Sequence, residues 1–241
     1  MKRIGLLLAA VAVVYWLGGC KSGTTSPSET PDYMPMASGN YWVYERYELD
    51  SSGQQTGSAA YDSVVVGAAT QLSGRTAYPF YTISSDGSRD TTYYSRDADG
   101  TVWQYMSFSA GAEYGLPELS ARWVKVATVG SETNWTVLDT TMTVTIPNVP
   151  VPLSVQFKVT GSKGGTETVT LSGKSYTVQN FSQTLTITVV GGLANANATL
   201  NAGFVSGIGR VKSHSTWTIT ITGSPTQTSG SEDMLVRWRI K

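Results

Sequence analysis

The chain has 241 residues with no formal net charge, and it is 40% hydrophobic, 10% aromatic and 14% charged. Its 17 basic and 17 acidic residues are scattered without a basic stripe, so nothing electrostatic favours a nucleic-acid partner. One cysteine and one histidine leave no intrachain disulfide and a poor basis for a hydrolytic triad or a zinc site.

The first 19 residues predict a signal peptide of the bacterial lipoprotein type. Two basic residues open the chain, an apolar run follows at 4–17, and small residues precede the only thiol. The predicted lipobox comprises Leu17, Gly18 and Gly19, followed by Cys20. The apolar run is shorter than the roughly 20 residues of a spanning helix. By resemblance to bacterial lipoproteins, Cys20 becomes the acylated first residue of the mature chain.

Acylation at Cys20 predicts the membrane itself as a partner. Each buried methylene contributes about 0.8 kcal/mol, and a lipoprotein of this type carries three acyl chains, which is enough for stable anchoring. Lys21 stands where many inner-membrane lipoproteins carry Asp, which favours the outer membrane. No acidic run follows Cys20, so we expect a domain that faces the periplasm.

Residues 20–35 predict the lipidated N-terminus and a flexible tether. The stretch after Cys20 is rich in Ser, Thr, Pro and Gly and has no hydrophobic period. Fifteen or so extended residues reach about 50 Å, so the folded part can stand clear of the lipid headgroups.

Residues 36–241 predict an all-β domain with a curved antiparallel sheet, either a half-barrel or an open sandwich. Alternating aromatic residues start the pattern at 41–48, and Gly-containing turn signals recur at short intervals. The predicted strands are 62–66, 77–84, 91–95, 101–106, 135–146, 153–160, 167–171, 175–190, 210–222 and 234–240. The predicted turns are 50–53, 73–74, 85–87, 97–100, 164–165, 172–173 and 191–192.

Two features raise the question of whether the domain has two halves. Three prolines at 147–152 interrupt strand pairing, so this segment is either an edge crossing or the joint between two β halves. Leu-Ser-Gly-Arg-Thr at 72–76 recurs as Leu-Ser-Gly-Lys-Ser at 171–175. Duplication and independent use of one hairpin chemistry both explain the recurrence.

Three patches, in order along the chain, resemble the DUF3108-like group of uncharacterised β-rich envelope lipoproteins. They are Met-Pro-Met at 34–36 followed by Gly-Asn-Tyr-Trp-Val-Tyr at 39–44, Gly-Thr-Glu-Thr-Val at 165–169 with Ser-Gly-Lys-Ser-Tyr at 172–176, and Gly-Ile-Gly-Arg-Val-Lys at 207–212. The resemblance implies a curved antiparallel sheet and brings no catalytic residue or cofactor. The threonine-rich second half and its proline patch depart from the group's pattern.

No residue pattern predicts an enzyme, a metal site or a cofactor. His214 lies between two serines on an alternating strand, which is typical of an exposed or hydrogen-bonded histidine. Asp97 and Asp99 precede a glycine as in a calcium loop, but a later acidic ligand is missing and a hairpin turn uses the same residues. Isolated carboxylates that could pair for glycoside hydrolysis are Glu45, Glu48, Glu113, Glu118, Glu132 and Glu167.

Two functions from different classes therefore remain. In the first, a non-enzymatic lipoprotein binds a hydrophobic or amphiphilic ligand on a concave sheet lined by aromatic rings, and an apolar cavity is expected. In the second, the domain is a structural or interaction module that binds a protein or a glycan at the envelope, and a filled core is expected.

Overall fold

The structure is a computed structural model that describes residues 30–108, 119–144, 152–189 and 191–241. The predicted signal peptide, the lipobox and Cys20 lie outside the described residues. Among those that are described, no helix is long and apolar enough to cross a membrane.

Thirteen strands make up the described fold. They are β1 (Tyr41–Leu49), β2 (Gln55–Val66), β3 (Thr70–Leu72), β4 (Arg75–Ile83), β5 (Arg89–Arg96), β6 (Val102–Phe108), β7 (Leu119–Ala127), β8 (Asn134–Val144), β9 (Leu153–Leu171), β10 (Lys174–Val189), β11 (Ala194–Val205), β12 (Gly209–Ile221) and β13 (Gln227–Arg239).

The strands pair antiparallel in one sheet with the order β7-β6-β5-β4-β2-β1-β13-β12-β11-β10-β9-β8, and β3 pairs with β4. β1 joins the two arms of the sheet, because it pairs with β2 on one side and with β13 on the other. One arm contains β2 to β7, and the other contains β8 to β13. The sheet is nearly closed and barrel-shaped. The predicted all-β class and curved antiparallel sheet are confirmed.

Side-chain hydrogen bonds connect the two arms where the sheet nearly closes. The indole nitrogen of Trp135 on β8 donates to the carbonyl of Lys125 on β7 at 3.0 Å. The amide nitrogen of Gln183 on β10 donates to the same carbonyl at 3.1 Å. Gly161 on β9 leaves room for the Trp135 ring, since a Cβ at this position would lie 2.2 Å from the indole.

The inside of the sheet has two ends that differ in how tightly they are packed, and we call them the packed end and the open end. The packed end holds the main core, where Trp42 on β1 stacks on Phe80 at 5.7 Å. Phe181 and Phe204 meet edge to face at 5.8 Å in the same cluster. The open end lies at the other ends of these strands, and its apolar wall is a second cluster around Phe157 on β9.

The chain enters the packed end earlier than the predicted tether boundary at residue 35. Tyr33 and Met34 are buried, and the Tyr33 ring lies 5.4 Å from that of Phe181. Asp32 forms an ion pair with Arg96, and its carbonyl accepts the backbone N–H of Gly207 at 2.8 Å. The folded unit therefore starts near Pro31, and 31–241 form one compact unit that contains all described strands.

The recurring Leu-Ser-Gly patches are two hairpin turns of one kind. Ser73 and Gly74 have φ of 46° and 79°, and Ser172 and Gly173 have φ of 48° and 76°. Positive φ at both central residues defines the two-residue turn that matches strand twist. Shared turn chemistry accounts for both patches.

The predicted turn at 164–165 is wrong, because both glycines lie inside the long strand β9. The register with β10 shifts there, so that Asn180 lies opposite the glycine pair. Gln179 donates to the Gly164 carbonyl at 2.6 Å. The pair is a bulge within one strand. Of the predicted joint at 147–152, residues 147–151 lie outside the described residues.

Candidate functional site

A cavity of about 600 Å³ occupies the open end of the sheet. We call it the large cavity. Strands from both arms line it, including β6 and β7 on one arm and β8 to β12 on the other. Its apolar wall is formed mainly by Met106, Leu138, Phe157, Leu185, Ile187 and Trp217. These side chains alternate inward along their strands, so the cavity follows directly from the pleat of a curved sheet.

One side of the large cavity is polar. Its polar lining includes Arg46, Glu48, Gln183, Ser215, Ser229 and Ser231. Ser215 and Ser231 lie opposite each other on β12 and β13, and their hydroxyl oxygens are 2.9 Å apart. The cavity therefore pairs an apolar wall with a wall of hydroxyl and charged groups, which is the arrangement that a small amphiphilic molecule needs.

Arg46 is the central charge of this polar wall. Its Nη2 lies 3.3 Å from a carboxylate oxygen of Glu48, and its Nη1 lies 3.6 Å from one of Asp62 on β2. Its Nε is buried, and no described residue accepts a hydrogen bond from it. The strand parity that turns Trp42 and Tyr44 inward turns Arg46 inward as well.

A smaller cavity of about 150 Å³ adjoins the large one towards the packed end, and Gln183 and Leu200 line both. Arg210 lines this small cavity, with its guanidinium 4.6 Å from the centre of the Tyr44 ring. Nη2 of Arg210 lies 3.5 Å from a carboxylate oxygen of Asp233, which also accepts the Ser213 hydroxyl at 2.8 Å.

Burial and neighbouring groups together set the protonation of Tyr44, Tyr94 and Arg210, which line the small cavity. Burial raises the pKa of Tyr44 and of Tyr94, so both phenols stay neutral at ordinary pH. Burial opposes the charge on Arg210, but the nearby Tyr44 and Asp233 favour it more strongly, and the pKa of Arg210 lies above its usual value. The interior thus keeps a permanent cation beside neutral phenols.

No local sequence pattern brings these charged residues together as one inward-facing group. Arg46, Asp62, Arg210 and Asp233 lie on four different strands, and only the sheet order brings them together. Of these four residues, only Arg46 could be predicted to face inward, because it follows Trp42 and Tyr44 at two-residue spacing on the same strand.

The aspartates of the suspected calcium loop are engaged in a hairpin between β5 and β6. Asp97 accepts from Arg75 at 2.6 Å and from the indole nitrogen of Trp103 at 2.7 Å. Asp99 accepts the backbone N–H of Thr101 at 2.8 Å. This geometry is that of a turn. The described part of the chain contains no cluster of three metal-ligating side chains.

The isolated histidine and carboxylates lie in separate places. His214 on β12 is in register with Asn201 and Glu232 on the neighbouring strands. Glu48 is the candidate carboxylate that lines the large cavity. The others pair elsewhere: Glu45 with Tyr61, Glu132 with Lys125 and Glu167 with Lys212. Glu113 and Glu118 lie outside the described residues.

The aromatic residues divide between the core, the cavity and the outer face. Trp42 and Trp135 are buried in the core, and Trp217 lines the large cavity. Trp103 and Trp123 lie with Arg75 in another cluster, where the Arg75 guanidinium is 4.4 Å from the Trp103 ring centre. Aromatic rings line the concave face at both cavities, with Phe157 and Trp217 at the large one and Trp42, Tyr44 and Tyr94 at the small one.

Comparisons with known proteins give two similar solved structures. No family model and no curated protein matches the chain. One similar structure is that of a "putative lipoprotein" from Parabacteroides distasonis, which is 9% identical, with 88% of this chain and 100% of that chain covered and a TM-score of 0.49. The other is that of a "putative exported protein with YmcC-like fold" from Bacteroides fragilis, which is 12% identical, with 87% and 99% covered and a TM-score of 0.39. The chain thus resembles these two proteins without being assigned to a family.

Proposed function

We propose that this chain is a non-enzymatic, membrane-anchored lipoprotein of the bacterial envelope that binds an amphiphilic ligand inside its curved sheet. The large cavity of about 600 Å³ carries the proposal. Its size lies within the roughly 300–1,000 Å³ of small-molecule sites, and such sites are mostly apolar with a few polar groups that orient the ligand. A cavity with one apolar and one polar wall suits an acyl chain that bears a polar head.

Native mass spectrometry of a soluble chain that begins at Lys21 tests this proposal. That chain keeps the whole compact unit 31–241 and lacks the predicted acylation site. We expect extra mass that is retained under gentle conditions and lost on denaturation. Ala198→Phe, which places a ring inside the large cavity, should greatly reduce the extra mass, whereas Asn197→Phe on the exposed side of the same strand should keep it. A bare unmodified chain that also fails to bind an apolar fluorophore would contradict the proposal.

The proposed anchor is Cys20, acylated after cleavage at the predicted lipobox, with the domain attached to the outer membrane on its periplasmic side. Metabolic labelling with an alkynyl palmitate should tag the protein, and Cys20→Ser should remove the tag. Membrane fractionation then tests whether the protein is attached to the outer membrane. Protease digestion of intact cells tests whether the domain lies on the periplasmic side, where it should be protected. Labelling that persists in Cys20→Ser would overturn the anchor.

An interaction module that binds a protein or a glycan is the second candidate, favoured by an apolar patch on the sheet. Tyr61, Val65, Tyr81 and Ile83 are exposed on the adjacent strands β2 and β4. Exposed apolar patches commonly mark interaction sites. A photo-crosslinker at Tyr81 that traps a partner in cells, together with a bare cavity, would favour this function over ligand binding.

A further inference from the structure

The polar wall of the large cavity contains loosely paired charges. The closest approaches of the Arg46 guanidinium to Glu48 and Asp62 are 3.3 Å and 3.6 Å, longer than the 2.7–2.9 Å of strong charge-assisted hydrogen bonds. Glu48 keeps 66% of its side chain exposed. These groups are therefore available to a ligand at little cost in existing contacts.

The guanidinium of Arg46 specifies what such a ligand must supply. Its Nε is buried, but 40% of the side chain is exposed, and its two Nη atoms make only the loose contacts with Glu48 and Asp62. A charged donor without a close acceptor forgoes hydrogen-bond free energy, and an acceptor brought by a ligand recovers it. The head group must therefore carry an oxygen that can accept from Arg46.

The charge balance argues against a charged head group. The two guanidinium groups of Arg46 and Arg210 are accompanied by three carboxylates, those of Glu48, Asp62 and Asp233. An anionic head would add to this excess of negative charge, and a cationic head would compete with Arg46 while supplying no acceptor for its guanidinium. A hydroxyl group meets both needs, because it accepts from Arg46 and donates to Glu48.

We propose that the ligand is a single-chain amphiphile with an uncharged polyol head, of which a glycerol monoester is the simplest kind, and that Arg46, Glu48 and the Ser215–Ser231 pair bind this head. The inference rests on the proposed function. The acyl chain lies along the apolar wall formed by Leu138, Phe157 and Leu185. The head lies against β1, β12 and β13.

Competition with a neutral naphthylamine fluorophore tests this specificity on the chain that begins at Lys21. Three competitors share one acyl length and differ in the head: glycerol monomyristate, myristate and tetradecylammonium, each below its micelle concentration. We expect the glycerol ester to bind at least about tenfold more tightly than either charged analogue. Arg46→Lys keeps the positive charge but removes the planar fork of the guanidinium, and it should weaken the binding of glycerol monomyristate about tenfold.

The controls separate this inference from the proposed function. Arg237→Lys, on exposed sheet surface beside Tyr41, should bind all three competitors as the unmodified chain does. Equal binding of the three competitors, or tightest binding of a charged one, would overturn the polyol head and leave ligand binding intact. A chain that binds neither the fluorophore nor any of the three competitors would contradict the proposed function itself. The order of the three competitors is read on the unmodified chain, so it does not depend on the folding of any variant.

Discussion

The two ends of the sheet interior use the same strands for opposite purposes. At the packed end, Trp42 is 2% exposed, and its indole nitrogen donates to the Ile208 carbonyl at 2.6 Å. At the open end, Trp217 lines the large cavity and is only partly buried. Both residues face inward from central strands of the sheet. The fold therefore packs its larger core at one end and keeps space beside a smaller core at the other.

Replacing these two tryptophans should give the largest difference between the ends. Trp42→Ala removes a buried ring, its stacking on Phe80 and a hydrogen bond, so we expect a loss of about 3–5 kcal/mol in the free energy of unfolding. Trp217→Ala enlarges a space that already exists, and we expect a loss of less than about 2 kcal/mol. Urea unfolding followed by far-ultraviolet circular dichroism measures both. Equal losses would mean that the open end is packed as tightly as the other.

Adding volume should also separate the two ends. Ala127 at the packed end is fully buried, and Ala127→Phe should cost about 1–3 kcal/mol through overpacking. Ala198 lines the large cavity, so Ala198→Phe should change the free energy of unfolding by less than about 1 kcal/mol while blocking the cavity. The same urea series measures both variants. A strongly destabilised Ala198→Phe would show that the cavity cannot accept a ring.

The near-closure of the sheet can be tested at two glycines of one strand. A Cβ at Gly161 would lie 2.2 Å from the Trp135 indole, which reaches across to Lys125. Gly161→Ala should therefore cost about 1–3 kcal/mol, because the ring must move and its hydrogen bond to β7 is strained. Gly165, also on β9, has nothing within 4 Å of such a Cβ, so Gly165→Ala is the matched control. Hydrogen exchange on β7 should quicken in Gly161→Ala alone.

Local patterns predicted most strands of this fold, whereas the interior needed the sheet order. Alternation and turn chemistry gave β4, β5, β10 and β12 to within about two residues. β3, β7 and β11 were not predicted. Ala194–Val205 alternates small alanines with asparagines, which have weak strand propensity, and its place between β10 and β12 is what makes it a strand. The polar wall of the cavity needs β1, β12 and β13 side by side, and no local pattern encodes that pairing.

The smallest expected effect is a loss of stability in acid that arises at the turns of both ends. Backbone hydrogen bonds, chiefly from Thr101, hold the pKa of Asp99 below its usual value at the packed end. The hydrogen bond from the Ser52 hydroxyl and backbone N–H groups do the same for Asp50 beside the open end. A carboxyl whose pKa is lower in the folded than in the unfolded chain stabilises the fold above the unfolded value, near 3.9, and this contribution is lost as pH falls through the folded value.

Asp99→Asn retains an acceptor for the Thr101 N–H but cannot titrate, so its stability should vary less between pH 5 and pH 2 than that of the unmodified chain. Unfolding by urea across this range measures the slope. Because the turns at both ends carry such aspartates, Asp50→Asn should flatten it to a similar degree, and a flattening confined to one of the two variants would mean that acid opens the sheet from that end.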